Sequence, residues 1–166
     1  IRVTFLTRTS ETAAGSDGRW KVTLPPLPAG GPYPLQIRVN GVLHIDWSDI
    51  LVGEVWLCSG QSNMEFELKG SENGLAEAGN ASDTKLRFFN YKGFVRTNDI
   101  AFDSLSLGRI NDLDYFEGSW QTCSPETARD FSAIGYYFGQ SLRRKLDVPV
   151  GLVVVAVGGA PIEAFI

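Results

Sequence analysis

The sequence is poor in the residues that most often bind metal ions. Its 166 residues include one histidine, His44, and two cysteines, Cys58 and Cys123. The cysteines lie far apart and match no metal-ligand spacing. We therefore expect no metal site. Cys58 lies at the end of an apolar run and is predicted to be a buried thiol rather than half of a disulfide.

Long apolar runs and clustered basic residues are also missing. No apolar run approaches the roughly 20 residues that a membrane-spanning helix needs, so we expect no membrane partner. The net charge is −4, and the 15 Lys and Arg residues are scattered along the chain. Because phosphate binding requires a clustered basic face, nucleic acid is not an expected partner. An uncharged substrate fits this composition better.

The residues that are present divide the chain near residue 49. Before it, apolar and polar residues alternate as in β-strands at residues 1–5, 20–24 and 35–39. Asn40-Gly41 predicts a type I′ hairpin turn, and the proline-rich stretch 25–34 predicts a loop that belongs in no central strand. Residues 1–49 are therefore predicted to be a β-sandwich segment.

Residues 50–166 have the pattern of an α/β domain. Apolar runs predict strands at 54–58 and 152–157, of the kind buried on both faces of a parallel sheet, with another strand at 86–90. One helix is predicted to begin at Asn63. Residues 91–119 lack a clear period and predict a long irregular excursion. A second helix is predicted from one apolar face that consists of Phe131, Ile134, Phe138, Leu142 and Leu146.

The stretch Gly60-Gln61-Ser62-Asn63-Met64 points most directly to chemistry. Ser62 follows a predicted strand and begins a predicted helix, where open α/β sheets bind ligands and where helix N–H groups can stabilise an oxyanion. The residues alone leave two interpretations open. Ser62 is a catalytic nucleophile, or it is an N-cap that forms a capping box with Glu65. The second glycine of G-x-S-x-G is missing, so the α/β-hydrolase nucleophile elbow does not match.

This stretch resembles the first sequence block of the SGNH hydrolases, in the form found in carbohydrate O-acetylesterases. Segments 53–64, 131–139, 148–152 and 158–165 are similar to the sialate O-acetylesterase family, and the β region before residue 49 resembles that family's leading domain. The resemblance implies a partial three-layer α/β/α SGNH domain with a parallel sheet over residues 50–166, preceded by a jelly-roll-like β-sandwich. Two residues depart from the family pattern, Ala160 in place of threonine and Phe165 in place of tryptophan.

The resemblance also implies a reaction, the hydrolysis of O-acetyl esters on sugars by a Ser62 nucleophile without a cofactor. The oxyanion hole would consist of the N–H groups of Ser62 and of Gly159, or of neighbouring Gly158. Without the resemblance, these two glycines predict only a tight turn. Sialic acid is the implied substrate, and acetylated xylan or another plant glycan is the alternative. The residues expected to contact the substrate are Gln61, Asn63, Met64 and Glu163.

The base that a serine nucleophile requires is not evident in the sequence. His44 lies in the predicted β segment and is interpreted as structural, and the D-x-x-H block that supplies the family's histidine does not occur. We expect a piece of a longer polypeptide, whose remainder, or a second processed chain, supplies Asp and His. A non-catalytic carbohydrate-binding module on a degenerate hydrolase is the alternative of another class. The resemblance implies a secreted, lysosomal or periplasmic location.

Overall fold

The chain forms two compact units, residues 1–53 and residues 54–166. The structure, a computed structural model, describes residues 1–93, 104, 108 and 116–161. The first unit ends at Gly53 rather than at residue 49, because its last strand, Val42–Val52, continues through Asp49. Among the described helices, none has the length and apolarity that crossing a membrane requires.

The first unit is an antiparallel sheet of four strands in the order β2-β1-β3-β4. The predicted alternation at residues 1–5 is confirmed, since Val3 and Phe5 are buried and pair with β3. The strand predicted at 20–24 is wrong, because these residues follow a turn at Asp17-Gly18 and pair with no strand in the described part of the chain. The strands are β1 (Arg2–Phe5), β2 (Arg8–Glu11), β3 (Gly30–Val39) and β4 (Val42–Val52).

The hairpin between β3 and β4 is confirmed. Asn40 and Gly41 have φ values of 50° and 85°, and they connect the paired residues Val39 and Val42, as a type I′ turn requires. The expectation for the prolines is partly wrong, because β3 contains Pro32 and Pro34 although it lies between two strands. The pairing with β4 shifts register on both sides of Tyr33, and this irregularity accommodates residues without an N–H donor.

The β-sandwich predicted for this unit is not confirmed. Its described strands all belong to one sheet, and residues 12–29 contain no strand that would begin a second sheet. This segment contains Pro25, Pro26 and Pro28, which cannot donate to a sheet ladder.

The second unit is an α/β structure with a mixed sheet. Strand β9 lies between β5 and β6 and is parallel to both, whereas β7 and β8 are antiparallel to β6. The α/β class is therefore confirmed, and the sheet is mixed rather than wholly parallel. The strands are β5 (Glu54–Gly60), β6 (Asp83–Gly93), β7 (Phe116–Glu117), β8 (Trp120–Cys123) and β9 (Val150–Ala156).

Short helices connect these strands, and one longer helix packs on the sheet. The helices are α1 (Ser62–Glu65), a 3-10 helix (Leu68–Gly70), α2 (Gly74–Gly79), α3 (Pro125–Arg129) and α4 (Ala133–Leu146). The helix predicted to begin at Asn63 is thus a single turn. The predicted excursion at 91–119 lies mostly outside the described residues.

The core of the second unit lies between β9 and α4. Val150, Leu152 and Val154 of β9 are buried. Helix α4 approaches so closely that a Cβ on Gly139 would lie 2.5 Å from Leu152 Cδ1. Since glycine adds no side chain at this contact, it allows the helix to pack directly on the strand.

The predicted apolar face of α4 is confirmed in part. Phe131, just before the helix, is buried and Leu142 packs against the core, whereas Ile134 is 49% exposed. The buried residues within the helix are Ala133, Gly135, Tyr136 and Gly139. The small residues allow α4 to pack closely against the sheet. A search for apolar periodicity alone does not reveal this face of the helix. Strand β5 lies at the edge of the described sheet and Leu57 is 68% exposed, so the predicted burial of this strand on both faces is wrong for the described residues.

Candidate active site

Two turns meet at one edge of the sheet in the second unit. Strands β5 and β9 run parallel with Gly60 opposite Ala156, so the segments that follow them begin side by side. The Val157 N–H extends the pairing by donating to the Gly60 carbonyl oxygen at 3.2 Å. Ser62 therefore follows one strand, and the Gly158-Gly159 pair follows its neighbour.

Ser62 is the first residue of α1, and its side chain is exposed. Its Oγ lies 3.5 Å from the position that a Cβ on Gly158 would occupy. The structure thus brings Ser62 and Gly158 together, although 96 positions separate their numbers, 62 and 158, in the chain. A hydroxyl at this place is accessible to a ligand and adjoins the backbone of the second turn.

The capping box expected for Ser62 and Glu65 is wrong. The N-cap of α1 is Gln61, and no side chain caps the helix. The Glu65 carboxylate instead accepts a hydrogen bond from the Gly158 N–H, with 2.8 Å between Oε2 and the nitrogen. Because Ser62 is not used as a cap, its hydroxyl has no structural role at the helix end.

Gly158 is closely surrounded. A Cβ on this residue would lie 2.7 Å from Glu65 Oε2, nearer than real Cβ contacts allow, so a side chain here would make the Glu65 carboxylate shift. Its N–H is already used in the bond to Glu65. The sequence left Gly158 and Gly159 as alternative oxyanion donors, and this bond favours Gly159.

Gly159 differs from its neighbour in both conformation and surroundings. Its φ of 80° lies in the left-handed region that favours glycine. Apart from its chain neighbours, no residue that the structure describes lies within 4 Å of the position of a Cβ. The turn is closed by Ala160, whose N–H donates to the Val157 carbonyl oxygen at 3.2 Å. Within residues 1–93 and 116–161, no hydrogen bond from the Gly159 N–H is formed.

The residues predicted to contact substrate have different environments. Gln61 donates from Nε2 to the Ala160 carbonyl oxygen at 2.6 Å, so its amide joins the two turns. Met64 is half-buried, packs against the core, and its sulfur accepts a hydrogen bond from Ser132 Oγ at 3.4 Å. Asn63 is exposed beside Ser62. Glu163 lies outside the described residues.

The segment that follows α1 is fixed to the start of α4. Leu68 N–H donates to the Phe131 carbonyl oxygen and Ala133 N–H donates to the Phe66 carbonyl oxygen, both at 2.8 Å. Ser132, between these anchors, is 2% exposed and caps α4 by accepting from the Gly135 N–H. The turn that contains Ser62 is therefore anchored to a long helix as well as to its strand.

An exposed ion pair adds to this anchor. Lys69 Nζ lies 2.8 Å from Asp130 and 2.6 Å from Glu67. The hydrogen bond to Asp130 raises the pKa of the Lys69 ammonium, and the same bond lowers the pKa of the Asp130 carboxyl. Solvent screens such a pair, so its contribution to stability is small.

Neither thiol has the properties of a reactive group. Cys58 and Cys123 are both free and buried, which confirms the prediction of a buried thiol for Cys58. Burial raises the pKa of both thiols, to about 11 for Cys123. A thiol in this state carries little thiolate at neutral pH, and only the thiolate is a strong nucleophile.

A catalytic base and metal ligands are the other groups that an ester-hydrolysing site could contain. His44 is exposed on β4 of the first unit, and the second unit contains no histidine in its sequence. The described residues of both units contain no group of three His, Cys, Asp or Glu side chains placed to hold a metal ion.

An open cavity of about 670 Å³ lies around the C-terminal half of β6. Because β6 is parallel to β9, this end of β6 is at the same edge of the sheet as the two turns. Its lining combines polar and apolar surface and includes three carboxylates, Glu117, Glu126 and Asp130, beside the Lys92 ammonium. The other lining residues are Asn90, Gly118, Ser119, Gln121, Thr127 and Phe131.

The comparisons with known proteins agree with the resemblance noted in the sequence. The chain is 29% identical over 170 residues to sialate O-acetylesterase from Pongo abelii, with 99% of this chain covered. It is 32% identical over 165 residues to sialate O-acetylesterase from Rattus norvegicus, with 91% covered. It also superposes on the crystal structure of a carbohydrate acetylesterase from Xanthomonas citri with a TM-score of 0.83 and 34% identity.

These similarities cover nearly all of this chain but only part of each relative. The chain spans 31% and 28% of the two curated relatives, and 35% of the crystallised chain. No protein-family model matches the chain. The similarity to sialate O-acetylesterases and to a carbohydrate acetylesterase is nevertheless established over most of these residues.

Proposed function

From this similarity, we propose that the chain carries the nucleophile part of the active site of a carbohydrate O-acetylesterase. The observation that supports it most strongly is the position of Ser62. Its exposed hydroxyl follows a parallel strand and adjoins Gly158 of the neighbouring turn, where Gly159 offers a backbone donor. An accessible hydroxyl beside a backbone N–H provides the nucleophile and one oxyanion donor for attack on an ester carbonyl.

In the proposed reaction, Ser62 Oγ attacks the acetyl carbonyl carbon and loses its proton to a base. The carbonyl electron pair moves to oxygen, and the Ser62 and Gly159 N–H groups stabilise this oxyanion. The carbon–oxygen bond to the sugar then breaks, the sugar oxygen takes the proton, and acetyl-Ser62 remains. Water hydrolyses this ester to release acetate, with no cofactor. One oxyanion donor typically stabilises such a transition state by about 3 kcal/mol.

The base is proposed to come from outside these 166 residues. The only histidine, His44, is in the other unit, and no D-x-x-H segment occurs. We assign the role to an Asp/His pair in the remainder of the natural polypeptide or in a second processed chain. Secretion, or a lysosomal or periplasmic location, accompanies this proposal.

O-acetylated sialic acid is the proposed substrate, because the curated relatives are sialate O-acetylesterases. A plant glycan such as acetylated xylan is the alternative, since the similar crystal structure is described only as a carbohydrate acetylesterase. We propose that Asn63, exposed beside Ser62, lies near the acetyl group of the bound sugar. A carbohydrate-binding module without catalysis is the alternative of another class. The observation behind it is that these 166 residues contain one histidine, His44, which lies in the first unit.

The test uses the full-length natural polypeptide that carries these residues. Acetate release is measured from O-acetylated sialic acid, from acetylated xylan and from an aryl acetate, and a rapidly quenched sample is digested for peptide mass analysis. We expect release from the sialic acid and an acetyl group on the peptide that contains Ser62. Release from xylan alone would support the plant-glycan alternative. Sugar binding without acetate release from any ester would establish the binding module instead.

A further inference from the structure

We propose that Gln61 and Glu65 form a clamp that positions the Gly159 N–H relative to Ser62. This inference rests on the proposed function and extends it to two positioning residues. Neither is needed to bind the sugar in this account. Their role is to fix the backbone of the second turn against the first.

The two side chains leave the first turn on either side of Ser62 and reach the same short segment. Gln61, immediately before Ser62, donates to the Ala160 carbonyl oxygen at 2.6 Å. Glu65, one helical turn later, accepts from the Gly158 N–H at 2.8 Å. The bonds therefore hold the residues directly before and directly after Gly159, one through a donor and the other through an acceptor.

This segment has few other restraints among the described residues. The pairing of the strands ends with the bond from Val157 to Gly60, and one further bond, from Ala160 to Val157, closes the turn. Gly159 has no side chain and a φ of 80°, and among the described residues only its chain neighbours lie within 4 Å of its Cβ position. Such a residue is conformationally free unless its neighbours are held. The clamp supplies this restraint at the residue whose N–H the reaction uses.

The close fit of Gly158 supports a specific role for Glu65. The Glu65 carboxylate occupies the space that a side chain on Gly158 would need. The turn after β5 and the turn after β9 therefore pack directly against each other at this point. This bond requires only an acceptor oxygen. A glutamine side chain has the same length as glutamate, and its amide provides such an oxygen. The negative charge of Glu65 opposes the charge that develops on an oxyanion nearby. Glu65→Gln therefore separates the positioning bond from the charge.

The experiment compares Glu65→Ala, Glu65→Gln and Gln61→Ala in the full-length natural polypeptide, with Glu72→Ala as the matched control. Glu72 is exposed and forms no hydrogen bond or ion pair with described residues. Hydrolysis of an aryl acetate gives kcat and KM, and thermal unfolding verifies that each variant is folded. Displacing one oxyanion donor costs on the order of 100-fold.

For Glu65→Ala we expect a fall in kcat of about 30- to 100-fold with KM changed less than threefold, and for Gln61→Ala a fall of about tenfold, both within the range for a displaced donor. Glu65→Gln should recover kcat to within about threefold of the parent, because it restores the acceptor. Wild-type kcat in Glu65→Ala would overturn the clamp, and so would a Glu65→Gln variant as inactive as Glu65→Ala. If Glu65→Ala does not fold, the other two variants decide. Wild-type kcat in Gln61→Ala, or a fall of about 30- to 100-fold in kcat for Glu65→Gln, would then overturn the clamp.

The proposed function can fail separately. A Ser62→Ala variant that keeps full activity would remove the nucleophile assignment itself. An inactive Ser62→Ala variant beside a fully active Glu65→Ala variant would leave the nucleophile assigned and reject only the clamp.

Discussion

The turn after β5 and the turn after β9 differ in what they contribute to the candidate site. The first contains Gln61, Ser62 and Glu65, whose side chains are all directed to the site or to the opposite turn. The second contributes backbone groups from two glycines and an alanine. In the proposed reaction, the first turn would supply the attacking hydroxyl and the side chains that hold the second turn, and the second turn would supply a backbone N–H group. Within the second turn, Gly158 is the position where a Cβ would meet the Glu65 carboxylate of the first turn.

The most severe test of this division is Gly158→Ala. The new Cβ would lie 2.7 Å from Glu65 Oε2 and 3.5 Å from Ser62 Oγ, so the carboxylate or the backbone must move. We expect kcat for acetate release to fall about 100-fold, the effect of losing an oxyanion donor. Gly79→Ala is the control, because nothing lies within 4 Å of its Cβ position. Equal activity of the two variants would show that the second turn does not need to be free of side chains.

Gly159→Ala should have a smaller effect with a different cause. Space is available, but a φ of 80° costs a residue with a Cβ about 1–2 kcal/mol. We expect kcat to fall roughly tenfold as the turn relaxes, with a modest fall in Tm. Kinetics and thermal unfolding measured on the same preparation test this. A Gly159→Ala effect larger than that of Gly158→Ala would reverse the assignment of crowding to one glycine and of conformation to the other.

Ser132→Ala tests the anchor behind the turn that contains Ser62. The variant loses the N-cap of α4 and the hydroxyl that donates to Met64, so we expect a loss of about 1 kcal/mol in the free energy of unfolding. Denaturant unfolding measures the loss, and Ser82→Ala at an exposed serine is the control. If kcat also fell although the variant remained folded, Ser132 would influence the site beyond anchoring it.

The smallest expected effect concerns pH. The pKa of Asp130 is lowered by Lys69, so this pair stabilises the fold above the ordinary pKa of aspartate and the contribution disappears as pH falls through the lowered value. Asp130→Asn should therefore slightly reduce stability at neutral pH and leave it unchanged at strongly acidic pH. Unfolding of the parent and of Asp130→Asn is measured in low and in high salt. Screening by salt should abolish the difference in stability between the two proteins. A loss that persists at high salt would identify packing as the cause.

The features that were predictable from the sequence depend on neighbours in the chain. The Asn40-Gly41 hairpin, the buried strand β9 and the position of Ser62 after β5 all follow from patterns of a few residues. Each needs only turn chemistry or apolar runs to be recognised. The similarity to acetylesterases also lies in such contiguous segments.

The features that were not predictable depend on partners that are distant in the chain. Glu65 has the spacing of a capping residue, but its acceptor oxygen bonds to Gly158, 93 positions away. The same holds for the bond from Gln61 to Ala160, 99 positions away. On α4, the contact of Gly139 with Leu152 places small residues against the sheet and leaves Ile134 exposed. A strong glycine-rich pattern on one helix face is the signal that would have indicated this packing.

The central claim is that Ser62 is the nucleophile. It is tested most directly by the rate of acetate release from O-acetylated sialic acid by the full-length natural polypeptide, by Ser62→Ala and by the Ser82→Ala control. Loss of a serine nucleophile lowers kcat by a factor on the order of 10⁶, and we predict such a loss in Ser62→Ala alone. Equal rates in all three proteins would contradict the account and leave Ser62 as the first residue of a short helix.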